Sequence, residues 1–298
     1  MANYTILFNP HAGNGRGTEE TKKLYGILNS DILQFQDITL IKNYADFLGC
    51  LPQENRIIIS GGDGTLNRFI NDTAGLHIQN DIYYFATGSG NDFLHDVGYR
   101  KGDPPFCINA YIKNLPEVTV ENRTFKFLNG IGYGIDGYCC EVGDTQRNSA
   151  NKSINYTSIA IKGLLFHYKP TNAVITVDGQ QRQYKKVWLA PTMNGRFYGG
   201  GMMPTPNQDR LNHAGTISTL VFFGSGKLKT LMVFPSIFKG EHVRHTEMAE
   251  VLTGHDITVE FERPTALQID GETIVGVTKY HVAAKSTASV KEICATAV

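Results

Sequence analysis

An excess of charge of either sign is missing from this chain of 298 residues, in which 28 lysines and arginines face 28 aspartates and glutamates. Without a net field nothing draws the whole protein to nucleic acid or to anionic lipid, so nucleic acid is not an expected partner and any contact with anions has to be local. A cysteine framework is missing too. The five cysteines, Cys50, Cys107, Cys139, Cys140 and Cys294, are odd in number, scattered, and without the CxxC spacing of a zinc site or redox pair. A reducing, cytoplasmic compartment is the expectation. No uninterrupted apolar run approaches the roughly 20 residues of a membrane span. The opening "MANYTILFNP" lacks the basic region and apolar core of a leader, and no heptad array, internal repeat or low-complexity linker is evident. A soluble protein is expected.

What is present is enough chain for two domains. In the first third the β-rich runs "YTILFN", "DITLIK", "RIIIS" and "IYYFA" alternate with segments whose apolar residues recur at three and four, such as Leu24, Ile27 and Leu28. That alternation predicts parallel βαβ units. Glu19 and Glu20 after Thr18 mark a helix start, where carboxylates complement the macrodipole. Beyond about residue 122 longer strand-like runs take over, with hairpin signals at Asp178-Gly179 and Asp270-Gly271. The expected domains are residues 1–122, α/β, and 123–279, β-rich and mostly antiparallel, with the tail 280–298 returning to the first domain. Two segments stand apart. "SINYTSIAIKGLLFHY" suits a helix, and "SGKLKTLMVFPSIFKG", broken at Pro235, reads either as a buried helix or as an amphipathic segment for a membrane interface.

The stretch "IIISGGDGTLNRFIND" places Gly61, Gly62, Asp63, Gly64 and Thr65 between a buried strand and a helix expected to start near Leu66. In an open α/β sheet such a turn lies at the carboxyl ends of the strands, where ligands bind. Glycines let backbone N–H groups approach a bulky anion, and the helix adds its positive end. Asp63 does not fit plain phosphate cradling; a carboxylate there suits a divalent cation or a proton. "FNPHAGNGRG" is a second glycine-rich turn, with Asn9, His11, Asn14 and Arg16 as polar groups, and "FATGSGNDFL" is a third, with Asn91 and Asp92. Each alone is also what an ordinary βα connection uses. Three from strands of one sheet would converge on one edge.

In that order and spacing, "NPHAG", "GGDGTLN" and "ATGSGNDF" resemble the catalytic domain of the diacylglycerol kinase family, bacterial lipid kinases especially, and the resemblance continues through "FLNGIGYGID", "YGGGMMPTP" and "IDGE". It implies an N-terminal three-layer α/β nucleotide-binding domain, a C-terminal antiparallel β-sandwich-like domain, and an active site in the cleft between them. It further implies ATP as donor, Mg²⁺ on the phosphates, and transfer of the γ-phosphoryl to a lipid hydroxyl met at the membrane surface, by an enzyme peripheral at its inner face. By position, Asn9, Gly13 and Arg16 would line the phosphates, residues Gly61 to Thr65 would form the nucleotide turn, and Thr87, Gly88, Asn91 and Asp92 would complete the cleft. Asp63 and Asp92 would meet Mg²⁺ through the phosphates, and Glu272, or else Asp63, would be the general base. Phosphoryl transfer asks chiefly for positioning and charge neutralisation, so such a set suffices.

The chain also departs from that pattern. Asn14 stands where the family often has lysine, leaving Arg16 as the positive group of the first turn; Glu117 stands where aspartate is common. Ala214 precedes Gly215 where aspartate is usual, so Asp209 is the one carboxylate left in "PNQDRLNHAGTIS" for the structural Mg²⁺ of bacterial relatives. NAD kinase, which shares "GGDGT", and a catalytically silent nucleotide- or lipid-binding member are the alternatives. His167, His242 and His245 read as metal ligands or as ordinary core and surface histidines. Met202 and Met203 read as the lining of a lipid channel or as core filling.

Overall fold

The computed structural model describes residues 2–29, 32–149 and 168–284. It contains two compact units, Met1–Asn114 and Leu115–Val298.

The first unit is built on a five-stranded sheet of β1 (Asn3–Phe8), β2 (Ile32–Asp37), β3 (Arg56–Gly61), β4 (Ile82–Ala86) and β5 (Phe106–Cys107), in the order β2-β1-β3-β4-β5. The first four strands run parallel and β5 runs antiparallel to β4. The apolar runs of β1 and β3 are buried throughout their centres, Ile6, Leu7, Ile57, Ile58 and Ile59 all at 0% exposure, as strands covered on both faces require. Leu66, Phe69 and Ile70 form the buried face of the helix Asp63–Asp72. Because β2 lies on one side of β1 and β3 on the other, the chain changes direction across the sheet between β1 and β3, the place where open α/β sheets bind ligands. Register sets Phe8 opposite Ser60 and Gly61 opposite Ala86, so the turns leaving β1, β3 and β4 emerge side by side.

One strand lies elsewhere than the sequence suggested. "DITLIK" is not β2; the strand is "ILQFQD", and Ile38–Leu40 is a short 3-10 turn. The Asp37 carboxylate stops the strand by accepting from Thr39 N at 2.8 Å and from Thr39 Oγ1 at 2.7 Å, a local cap that β-branched propensity does not reveal.

The second unit is antiparallel throughout its described ladders. Its strands are β6 (Glu117–Val120), β7 (Arg123–Lys126), β8 (Gly130–Tyr133), β9 (Thr171–Val177), β10 (Gln180–Val187), β11 (Thr192–Met193), β12 (Ile217–Phe222), β13 (Ala249–Gly254), β14 (Asp256–Ile269) and β15 (Glu272–Ala283). The long β14 organises them: its first half pairs with β9, its last residues with β8, and β15 follows it over most of its length. The ladder shifts register between Glu260 and Thr265, around Pro264, which has no N–H to give. Period-2 alternation makes β12 serve two cores, with Ile217 and Val221 in the cluster around Tyr133, Val259 and Tyr280, and Leu220 and Phe222 in the cluster around Trp188, Met193 and Phe234.

The unit boundary falls at Asn114, before the 122 expected, because the hairpin β6-β7 joins the edge of this second sheet through β15. Residues 280–283 pair within the same sheet; the rest of the expected returning tail, from residue 285 onward, and the segment 150–167 that includes His167 lie outside the described residues. "SGKLKTLMVFPSIFKG" forms the helix Lys227–Val233 and then a 3-10 turn, Phe234–Lys239, with the break at Pro235. It is buried on one side, at Thr230, Val233 and Ile237, yet leaves Leu228 and Met232 exposed at 70% and 67%. Met202 fills the second core. Among the described residues no helix is long and apolar enough to cross a membrane.

Candidate functional site

The three glycine turns meet at the carboxyl edge of the first sheet. The turn after β1 is pinned by Asn9, whose Nδ2 donates to Thr65 Oγ1 at 2.9 Å and whose N–H donates to Ser60 O at 3.0 Å. Gly13 has φ +59°, and a Cβ there would lie 2.5 Å from Thr87 O, so only a bare α-carbon lets the first turn touch the third. A Cβ on Gly88 would come within 2.3 Å of Gly62 Cα, which makes the second and third turns equally dependent on glycine. Backbone bonds lock that approach: Thr87 N and Gly88 N both donate to Gly61 O, at 2.8 and 3.1 Å. Tyr84, fully buried beneath, donates to the same carbonyl at 3.2 Å, and burial, with the Asp63 charge second, pushes its phenol far above the usual range.

Asp63 opens the helix Asp63–Asp72, three residues earlier than the sequence suggested, and its Oδ2 accepts from Phe93 N at 3.1 Å. That bond ties it to the first turn of the helix Asp92–Asp96, so the two expected carboxylates, Asp63 and Asp92, are brought to adjoining helix starts. Thr87 is wholly buried, and neither its Oγ1 nor the buried Asn91 Oδ1 has a hydrogen-bond partner among the described residues. An orphaned buried hydroxyl and amide oxygen are costly unless a ligand completes them. Arg16 and Asn14 are exposed, the latter at φ +59°. The sequence reading missed Lys101, whose Nζ lies 3.4 Å from Thr87 O and 3.3 Å from Gly88 O. The basic pair in "GYRKGD" was the only signal, and nothing local says that it folds back onto the turn.

Glu272 belongs to the second unit. It begins β15, exposed, one residue after a turn with Asp270 at φ +45° and Gly271 at φ +94°. Asp270 is more than a turn former: its carboxylate accepts from the N–H groups of Leu128, Asn129 and Gly130, which joins "IDGE" to "FLNG". Burial raises its pKa in spite of those three bonds. Gln268 extends the link, accepting from Gly271 N at 2.6 Å and donating to Asp136 Oδ2 at 3.1 Å. The matching turn at Asp178-Gly179 does the same work on other strands, accepting from His255 N and Asp256 N, both at 2.8 Å. Asp178 is open to solvent, and there the backbone hydrogen bond from Asp256 lowers the pKa. Asp209 is exposed and caps Leu211 N at 2.9 Å. It lies beside a cavity of about 690 Å³ lined in part by Gln208, Asn212, Ser218 and Glu250. Among the described residues no cluster of three or more His, Cys, Asp or Glu groups is placed to hold a metal. His242 is a core histidine, its Nε2 at 2.9 Å from Pro204 O, with burial lowering its pKa.

Residues 3–119 match the diacylglycerol kinase catalytic domain, and residues 129–286 match the YegS C-terminal NAD kinase beta sandwich-like domain. The chain belongs to this diacylglycerol kinase family, with both of its domains in order. It is 27% identical over 216 residues to "Diacylglycerol kinase" of Mycobacterium tuberculosis (strain CDC 1551 / Oshkosh), covering 70% of this chain and 67% of the relative. It is 24% identical over 310 residues to "Putative lipid kinase YtlR" of Bacillus subtilis (strain 168), covering 95% and 97%. A solved diacylglycerol kinase structure from Bacillus anthracis str. Sterne superposes with a TM-score of 0.63 at 21% identity, covering 94% of this chain and 93% of that one, a likeness of fold.

Proposed function

We propose that the protein is an ATP-dependent, Mg²⁺-assisted lipid kinase that transfers the γ-phosphoryl group to a lipid hydroxyl, diacylglycerol or a related lipid. The observation that carries this reading is the contact of three glycine turns around buried, uncompleted polar atoms, Thr87 Oγ1 and Asn91 Oδ1, beside two carboxylates. Backbone amides of Gly61 to Gly64 and Gly13, with Asn9, Arg16 and the Thr87 hydroxyl, would take the phosphates, while Asn91 Oδ1, an acceptor, would meet a donor group of the nucleotide. Asp63 and Asp92 are hard oxygen donors of the kind that Mg²⁺ prefers, and the ion when bound would neutralise charge on the phosphates. Asp63 is held by Phe93 N, so its second oxygen keeps a fixed aim. Glu272, exposed at the start of β15, would take the proton from the acceptor hydroxyl. Leu228 and Met232, exposed beside Lys227 and Lys229, suit contact with lipid at the inner face of the membrane of a cytoplasmic protein.

The second reading, NAD phosphorylation, is favoured by the NAD kinase-like character of the matched C-terminal domain. Labelled ATP with a panel of lipids in detergent micelles, and NAD as a parallel acceptor, separates them. Label in a lipid band supports the proposal; label only in NADP overturns it. In the same assay Glu272→Gln is expected to lower kcat by about 10²- to 10⁴-fold with ATP affinity nearly unchanged. An unaltered rate and acid limb of the pH profile would move the base to Asp63.

A further inference from the structure

The turns just described put two carboxylates and no lysine next to the place where a polyphosphate would lie. The first turn offers Arg16, exposed, and Asn14. A nucleotide triphosphate carries about three to four negative charges near neutral pH, and a bound Mg²⁺ cancels two, so a further fixed cation is wanted. Lys101 is the group whose position meets that need.

The backbone holds Lys101 on a short turn. Arg100 N donates to Asp103 Oδ2 at 2.7 Å, Asp103 N donates to Arg100 O at 3.0 Å, and Tyr99 stacks on Phe106 with ring centres 3.8 Å apart. From that base the side chain reaches the turn after β4, where its Nζ lies near the carbonyls of Thr87 and Gly88. Thr87 O is the atom against which Gly13 packs, and Gly88 is the residue that meets Gly62. The ammonium therefore stands where all three turns join. Two neutral carbonyls at 3.3–3.4 Å do not exhaust three donors, and they leave the positive charge without a carboxylate within salt-bridge distance among the described residues. Its field is felt locally: with Lys23 as the chief cause, Lys101 and Arg16 both help to lower the Glu20 pKa. The buried Thr87 Oγ1, without a partner among the described residues, lies in the residue whose carbonyl Lys101 touches.

We propose that Lys101 binds the polyphosphate of the nucleotide, as a positioning cation shared between the turns after β1, β3 and β4. This rests on the nucleotide part of the proposed function and is independent of which acceptor is used. The test is calorimetric titration of the full chain with MgATP, inorganic tripolyphosphate and adenosine, in wild type, Lys101→Met and Lys101→Arg. Lost charge-assisted contact should weaken MgATP and tripolyphosphate by about ten- to a hundredfold in Lys101→Met, flatten the salt dependence of binding, leave adenosine unchanged, and be largely restored in Lys101→Arg. Equal binding of both phosphate ligands by wild type and Lys101→Met overturns the inference. So does a matching loss for adenosine, which would make Lys101 a staple of the turn and nothing more. Wild type that binds neither phosphate ligand overturns this inference and the proposed function together. Loss of MgATP binding in Lys101→Met, with no lipid in the panel taking label, leaves Lys101 standing and sinks only the lipid assignment.

Discussion

Replacing Gly88 by alanine isolates the contact on which the site depends. The added Cβ would sit 2.3 Å from Gly62 Cα and 2.8 Å from Gly62 N, with main chain on both sides, so no side-chain rotation relieves it. An ordinary contact needs at least about 3.4 Å, hence the turns after β3 and β4 must separate by roughly 1 Å. That movement pulls on the bonds from Thr87 N and Gly88 N to Gly61 O. Overpacking of this kind costs about 1–3 kcal/mol, which for a chain of this size lowers Tm by about 2–5 °C. The site should suffer more than the fold, because a displacement near 1 Å in a positioning element costs about 10²-fold in turnover. Gly90→Ala is the control: a Cβ there meets nothing within 4 Å and its φ is not in the left-handed region, so stability should change by less than about 0.5 kcal/mol. Thermal unfolding and MgATP titration of the two variants side by side decide the matter. A Gly88→Ala protein that melts and binds as wild type would refute the reasoning, as would equal loss in Gly90→Ala.

Asp63→Asn should keep its acceptor for Phe93 N and so unfold within about 1 kcal/mol of wild type, while losing most turnover and the Mg²⁺ dependence of ATP binding; full activity would remove Asp63 from the mechanism. The two turn aspartates should show opposite pH behaviour. Asp178, with its folded pKa lowered by the bond from Asp256 N, contributes stability that is present above the unfolded value of about 3.9 and is lost as pH falls through the folded one. Asp270, with its pKa raised by burial, contributes stability that is present below the unfolded value and is lost as pH rises through the folded one. Denaturant unfolding of Asp178→Asn and Asp270→Asn from pH 3 to 7 should therefore give difference curves of opposite slope; parallel curves would contradict the assignment.

Much of this protein is local and so could be read directly. Alternating strands and helices foretold the parallel sheet, Asp-Gly pairs foretold the two long hairpins, and three glycine turns after buried strands foretold that those turns would converge on one edge, because each feature is a backbone conformation that a few adjacent residues determine. What the sequence could not rank was the glycines themselves: Gly88 and Gly90 read alike in "TGSGND", and only the approach of Gly62 makes the first indispensable. It likewise placed β2 about five residues late, since the Asp37 cap that ends the strand competes with propensity. Asp178 and Asp270 share one turn and one local grammar, yet each grips a different strand, and burial moves their pKa values in opposite directions. Lys101 reaches the site from a turn with no motif of its own. These decisions are tertiary for one physical reason: they depend on which main-chain atoms from distant segments come within a few ångströms, and that distance is set by strand register and packing, to which no single stretch of sequence has access.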